Sequence, residues 1–215
     1  MTSVVCLKWV DRRPEFDGRG MPLALDERYA GLSPADESAL ECALADGGEV
    51  VAISAGPPGA DQVLRLAAAV GAGRIVRVDA PFGLASDLVA EALALTIRSV
   101  APDAARIWCG DHSLDRGTGS VPAFLAHRLG VPQMLGLVAV ERRGPLVRGV
   151  RRLDGGRREI VEVDGPAICS VEGATAHLRR AGLGAVLAAG RAQVEVMAGP
   201  AIDDVEPAVL RPYRP

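Results

Sequence analysis

The chain has 215 residues, of which 49% are hydrophobic and only 3% aromatic, and a formal net charge of −3. That length and composition describe one well-buried domain, or one domain with a small appendage. A weakly acidic chain has no basic footprint for nucleic acid, no apolar run reaches membrane-spanning length, and the opening MTSVVCLKWV lacks a charged leader region and a cleavage site, so a cytoplasmic protein without membrane insertion is expected.

Ser3 to Val10 reads as a first strand, apolar enough to be buried on both faces of a sheet. Residues 11 to 32 form an irregular excursion, with a short hairpin expected at Leu23-Ala24-Leu25. Ser33-Pro34-Ala35-Asp36 is a helix start: Ser33 caps, Pro34 suits the first helical position and Asp36 faces the positive helix end. Gly47-Gly48 stops that helix. Strands are expected at Glu49 to Ala55 and Arg74 to Asp79, with a helix between them at Asp61 to Val70. A longer helix over Leu84 to Val100 leads to a strand at Ile107 to Cys109. Alternation at this spacing implies βαβ units and a mostly parallel sheet flanked by helices.

The stretch from Ala105 to Leu129 organises the rest. An apolar run breaks at Gly110 into a loop rich in Asp and Gly, and helical spacing resumes at Val121, Phe124, Leu125 and Leu129. In a parallel α/β sheet, ligands sit beyond the carboxyl ends of the strands, and a Gly/Ser/Thr loop opening a helix presents free backbone N–H groups. Gly117-Thr118-Gly119-Ser120-Val121 is therefore the candidate anion cradle. No Lys follows the glycines and the spacing GxxxxGK[ST] is absent, so it is not a Walker loop, and it is not a dinucleotide fingerprint either. The same spacing equally fits a solvated connection.

After Leu129 the pattern changes. Strands are expected at Gln133 to Val140 and Leu146 to Leu153, an antiparallel hairpin through Asp154-Gly155-Gly156 to Arg158–Val163, and a last apolar strand at Ala167 to Val171. The tail from Glu172 has few apolar anchors and reads as an extended arm, poorly packed on its own body. Cys6, Cys42, Cys109 and Cys169 are far apart without a CxxC pair. Buried free thiols are expected, with no metal site and no disulfide framework.

Several segments in order resemble the β subunit of electron transfer flavoprotein. Cys6-Leu7-Lys8-Trp9-Val10 stands where that family has a small residue followed by Val-Lys-Arg-Val. Leu32-Ser33-Pro34-Ala35-Asp36-Glu37 resembles its Asn-Pro-Phe-Asp-Glu segment. Ala52 to Pro57 and Ala69 to Ala72 follow its pattern, and Gly110 to Ala126 aligns without gaps to Gly-x-Gln-x-x-Asp-Gly-Asp-Thr-Gly-Gln-Val-Gly-Pro. Pro132-Gln133, Asp154-Gly155-Gly156 and Pro166-Ala167 match later positions. The resemblance covers nearly the whole chain.

It implies an adenine-nucleotide-binding, Rossmann-like domain over 1–172, and a recognition loop with a C-terminal arm over 173–215. It implies a structural AMP, a share in an FAD site carried mostly by an α subunit, and electron exchange with dehydrogenases. An electron-carrier subunit has no catalytic side chain of its own. The AMP-contacting positions are Cys6, Ser33, Ala55, Asp115, Thr118, Gly119, Ser120 and Val121, with phosphate on the backbone of the last three. Leu183 aligns with the leucine that anchors dehydrogenases. The loop departs from the pattern at Gly117, Ser120 and Pro122, the helix start at Ser33 and Ala35, and residues 175–180 keep only an Arg. Such departures point to a divergent branch, for example one serving a mycofactocin-associated dehydrogenase.

Other residues carry alternatives. Asp111-His112-Ser113 has the letters of a hydrolase triad, although neighbours on one loop rarely converge. Trp9 and Trp108 read as core or rim packing, and His127 and His177 as ordinary surface residues. The pairs Arg142-Arg143, Arg151-Arg152 and Arg157-Arg158 are either a charged, solvated sheet edge or a docking surface for the α subunit. A stand-alone adenine-nucleotide-binding regulatory module is the competing reading for the whole chain.

Overall fold

A computed structural model describes residues 1–13, 15 and 26–199. The hairpin expected at Leu23-Ala24-Leu25 lies outside them. Strand β1 (Thr2–Cys6) is the middle of the fold: it pairs in parallel with β4 (Glu49–Gly56) on one side and with β6 (Ala104–Gly110) on the other. Two short strands, β2 (Val10–Asp11) and β3 (Ala30–Gly31), pair with each other in a separate antiparallel ribbon. Beyond β4 lies β5 (Arg74–Asp79), and beyond β6 lies β10 (Ala167–Val171), all parallel. The mostly parallel α/β architecture is the one the strand and helix alternation predicts.

The parallel strands β1, β4, β5, β6 and β10 bury both faces. Val5 packs with α1 (Pro34–Ala45) and α2 (Asp61–Val70), through Ala39, Leu40, Ala43, Val63 and Leu64. Val4 and Cys6 face the opposite layer, with Leu93 and Ile97 of α3 (Ser86–Val100) and Leu125 of α4 (Val121–Leu129). Trp108 is fully buried and its indole N–H reaches Asp46 at 2.7 Å. Trp9 is a rim residue, bonded to Gln62 at 3.1 Å. All four cysteines are free and buried.

The antiparallel extension is one strand pair longer than a single hairpin. β7 (Gln133–Arg143) runs parallel to β10, then turns into an antiparallel ladder with β8 (Leu146–Arg152) and β9 (Arg158–Asp164), the Asp154–Gly156 turn joining the last two. Arg106, only 2% exposed, fastens this ladder to the body: its guanidinium donates to the carbonyls of Pro145 in the β7–β8 turn and of Gly165 in the β9–β10 connection. The arginine pairs are mostly matched within the fold. Arg142 turns inward to Asp46 at 2.7 Å, Arg143 pairs with Glu141, Arg151 with Glu159 and Arg152 with Glu172.

As far as residue 199, the tail differs from the extended arm expected of it. Residues after β10 cross α1, where Ala176 N–H donates to Ser38 Oγ at 3.0 Å and Arg179 forks onto Glu41 at 2.7 Å. Helix α5 (Leu183–Ala189) follows, and β11 (Glu195–Met197) adds itself to the far edge of the sheet in parallel with β5. Three residues of pairing suffice because Arg74 and Glu195 are joined by two hydrogen bonds of 2.8 Å, and because an uncovered β5 edge leaves backbone groups unpaired. Periodicity over so short a segment has no power to detect an edge strand.

Candidate functional site

The order of the large sheet, β11-β5-β4-β1-β6-β10-β7-β8-β9, reverses direction of travel at β1. The chain runs from β1 outward through β4 to β5 and then crosses over to β6 on the other side of β1, so the carboxyl ends of β1, β4 and β6 open a crevice between the loops that follow them. A cleft occupies that crevice. Cys6 ends β1, Ala55 approaches the end of β4, Cys109 and Gly110 end β6, and Thr118, Gly119, Ser120 and Val121 form the wall where α4 begins. Six of the eight nucleotide positions expected from the sequence thus line one cavity.

Ser33 and Asp115 do not line it. Ser33 is 1% exposed and its hydroxyl caps α1, accepting the Asp36 N–H at 3.1 Å. Asp115 instead receives Lys8 Nζ at 2.7 and 2.8 Å, and so ties the loop to the end of β1. Burial pushes the Asp115 carboxyl up, but the hydrogen bonds from Lys8 and Ser113 outweigh it and hold the group below its ordinary range. Leu183 is remote from the cleft lining, on α5, and 75% exposed.

The cradle is built from backbone. Gly117 and Gly119 take left-handed φ values of 64° and 60°, and a Cβ on Gly119 would lie 2.5 Å from the Asp111 carbonyl. Only glycine satisfies both demands. Among the described residues the N–H groups of Gly119, Ser120 and Val121 donate to no protein acceptor. Pro122 removes one donor from the first turn of α4, but Ser120 leaves the helix uncapped by side chain, so the three preceding donors stay open. Unpaired donors at the positive end of a helix favour an anion.

The cleft floor holds residues that the sequence did not single out for it. Asp36 is buried beneath Gly110, so close that a Cβ there would sit 2.6 Å from its Oδ1. Burial pushes the Asp36 carboxyl up to about 7, and hydrogen bonds from Lys8 N–H, Ser33 and Gly110 recover only part of that shift. Pro81, Phe82, Gly83 and Leu84, from the loop after β5, form the opposite wall. Their only signal in the sequence was Pro and Gly between a strand and a helix.

The triad reading does not assemble. His112 Nδ1 lies 2.7 Å from Asp111 Oδ1, while Ser113 Oγ accepts from Lys8 Nζ at 3.4 Å. Among the described residues no hydrogen bond joins His112 to Ser113, so the imidazole does not face the hydroxyl.

The electron transfer flavoprotein domain model matches residues 23–202. The chain belongs to the electron transfer flavoprotein family. It is 32% identical to protein FixA of Azorhizobium caulinodans over 98% of this chain and 80% of that protein. It is 30% identical to the electron transfer flavoprotein subunit beta of Mycobacterium tuberculosis over 92% of this chain and 79% of that protein. A third relative, the subunit beta of Clostridium acetobutylicum, is 32% identical over 78% and 67%. The likeness therefore runs through the sheet, the cleft loops and the tail together, and the role it supports is that of an electron transfer flavoprotein β subunit. No described helix is long and apolar enough to cross a membrane.

Proposed function

We propose that the chain is the β subunit of a heterodimeric electron transfer flavoprotein, that its cleft holds AMP, and that it completes an FAD site carried mainly by an α subunit. The observation that carries the nucleotide part is the row of open N–H donors at Gly119, Ser120 and Val121, on a cleft at the sheet's reversal point. Those donors fit a phosphate; Cys6, Ala55 and Gly56 leave a floor of small side chains for the nucleoside. Bound FAD supplies the electron-carrying chemistry, and the protein supplies position and electrostatics. The chain's own work is to bind, orient and dock, as an electron carrier without a catalytic side chain. Leu183, on the exposed side of α5, is the proposed contact for dehydrogenases, and residues 173–199 are the proposed partner-facing segment of a cytoplasmic complex.

The test is co-expression with the flavoprotein α subunit of the same genome, followed by denaturation of the purified complex and mass spectrometry of the released nucleotides. A 1:1 complex releasing FAD and AMP is expected. FAD without AMP would retire the nucleotide site and keep the electron-transfer role. Absence of any complex, with an adenine nucleotide on the lone chain, would favour a stand-alone binding module.

A further inference from the structure

We propose that Arg116 determines specificity in this cleft, reading the charge of the ligand so that a phosphorylated adenine nucleoside is held in preference to the bare nucleoside; this rests on the nucleotide reading above. Arg116 stands in the cradle loop three residues before Gly119.

The backbone of Arg116 is held in place. Its N–H donates to Asp115 Oδ1 at 2.9 Å, and Asp115 is itself gripped by Lys8. Gly117 N–H closes the turn onto the Ser113 carbonyl at 3.0 Å. From this fixed base the side chain spans the cleft mouth, and Nη1 donates to the carbonyls of Leu84 at 2.8 Å and Gly83 at 3.2 Å on the opposite wall. Among the described residues, Nε and Nη2 have no hydrogen-bond partner and no carboxylate pairs with this guanidinium.

The other charges around the cleft are already matched or enclosed. Lys8 is paired with Asp115, Asp111 lies at hydrogen-bond distance from His112 Nδ1, and Asp36 is buried under Gly110. Arg116 is thus the cleft-lining cation whose charge is not answered by any described carboxylate. Two neutral carbonyls are weaker partners for a guanidinium than a phosphate, which its planar fork meets with two parallel charged hydrogen bonds. A phosphate seated on Gly119, Ser120 and Val121 draws Arg116 off Gly83 and Leu84. An unphosphorylated nucleoside offers nothing to make that exchange favourable.

The experiment is calorimetric titration of AMP and of adenosine into the nucleotide-free heterodimer, for the wild type, Arg116→Gln and Arg116→Lys. The wild type is expected to prefer AMP, and Arg116→Gln to shrink that preference by roughly 10–100-fold while adenosine binds as before. Arg116→Lys, which keeps the charge and loses the fork, should recover part of it. An unchanged AMP-to-adenosine ratio in Arg116→Gln overturns the proposal while leaving the nucleotide site standing. Equal weakening of both ligands also overturns it, because it assigns Arg116 to holding the two walls together. Failure of the wild type to bind either ligand removes the nucleotide reading, and this proposal with it.

Discussion

Asp36 shows how one side chain serves two ends of the local chain. Its backbone N–H is held by the Ser33 cap, and its carboxylate accepts the Lys8 N–H at 3.2 Å, joining the start of α1 to the chain beyond β1. The sequence reading of Asp36 as a helix-terminus charge is right in position and incomplete in role, because the burial under Gly110 comes from a segment more than seventy residues away. The energetic consequence is a pH dependence. Since burial raises the folded carboxyl from 3.8 to about 7, its contribution to stability is full below about pH 4 and is lost as pH rises through 7. Asp36→Asn, which keeps the acceptor and cannot ionise, should flatten that decline. Denaturant unfolding of the wild type is expected to weaken relative to Asp36→Asn between pH 4 and pH 7, by on the order of 4 kcal/mol at most.

At the scale of the element, the cradle loop and its helix form a unit whose conformation the glycines enforce. Gly119→Ala places a methyl against the Asp111 carbonyl in a left-handed backbone position. It should cost about 1–3 kcal/mol in urea unfolding and remove AMP from the purified heterodimer. Retention of both wild-type stability and AMP would show that the loop relaxes freely and is not a built cradle. The choice of Gly here was legible from the Gly-Thr-Gly-Ser spacing. The opposite wall at residues 81–84 was not, since its place over the cleft depends on β5 lying next to β4. The tail illustrates the same limit: β11 is three residues long, and its pairing with β5 is decided by a neighbour more than a hundred residues back along the chain.

Taken as a whole, the molecule separates the cleft at the carboxyl end of the sheet from an exposed apolar face on α5. Leu183, Val186 and Leu187 of that helix are 75%, 47% and 62% exposed, while Ala189 on its inner side is buried. Leu183→Ala should therefore leave folding stability within about 0.5 kcal/mol of wild type. In the assembled complex it should instead slow electron transfer from the partner dehydrogenase, read as a rise in the apparent KM for that protein. An unchanged KM would remove Leu183 from the docking surface.

By itself the sequence determined the order and type of the main elements and the glycine-bearing loop between β6 and α4. Those features rest on local rules: apolar runs, caps, turn residues, and glycines where no other residue fits. Only the tertiary structure decided that Lys8 holds Asp115, that Arg106 fastens the ladder to the body, and that Arg116 spans the cleft. Each of these joins groups tens of residues apart, by charge and hydrogen bonding across loops. Such pairings leave no period in the sequence, because they are selected by where the sheet brings its strand ends together.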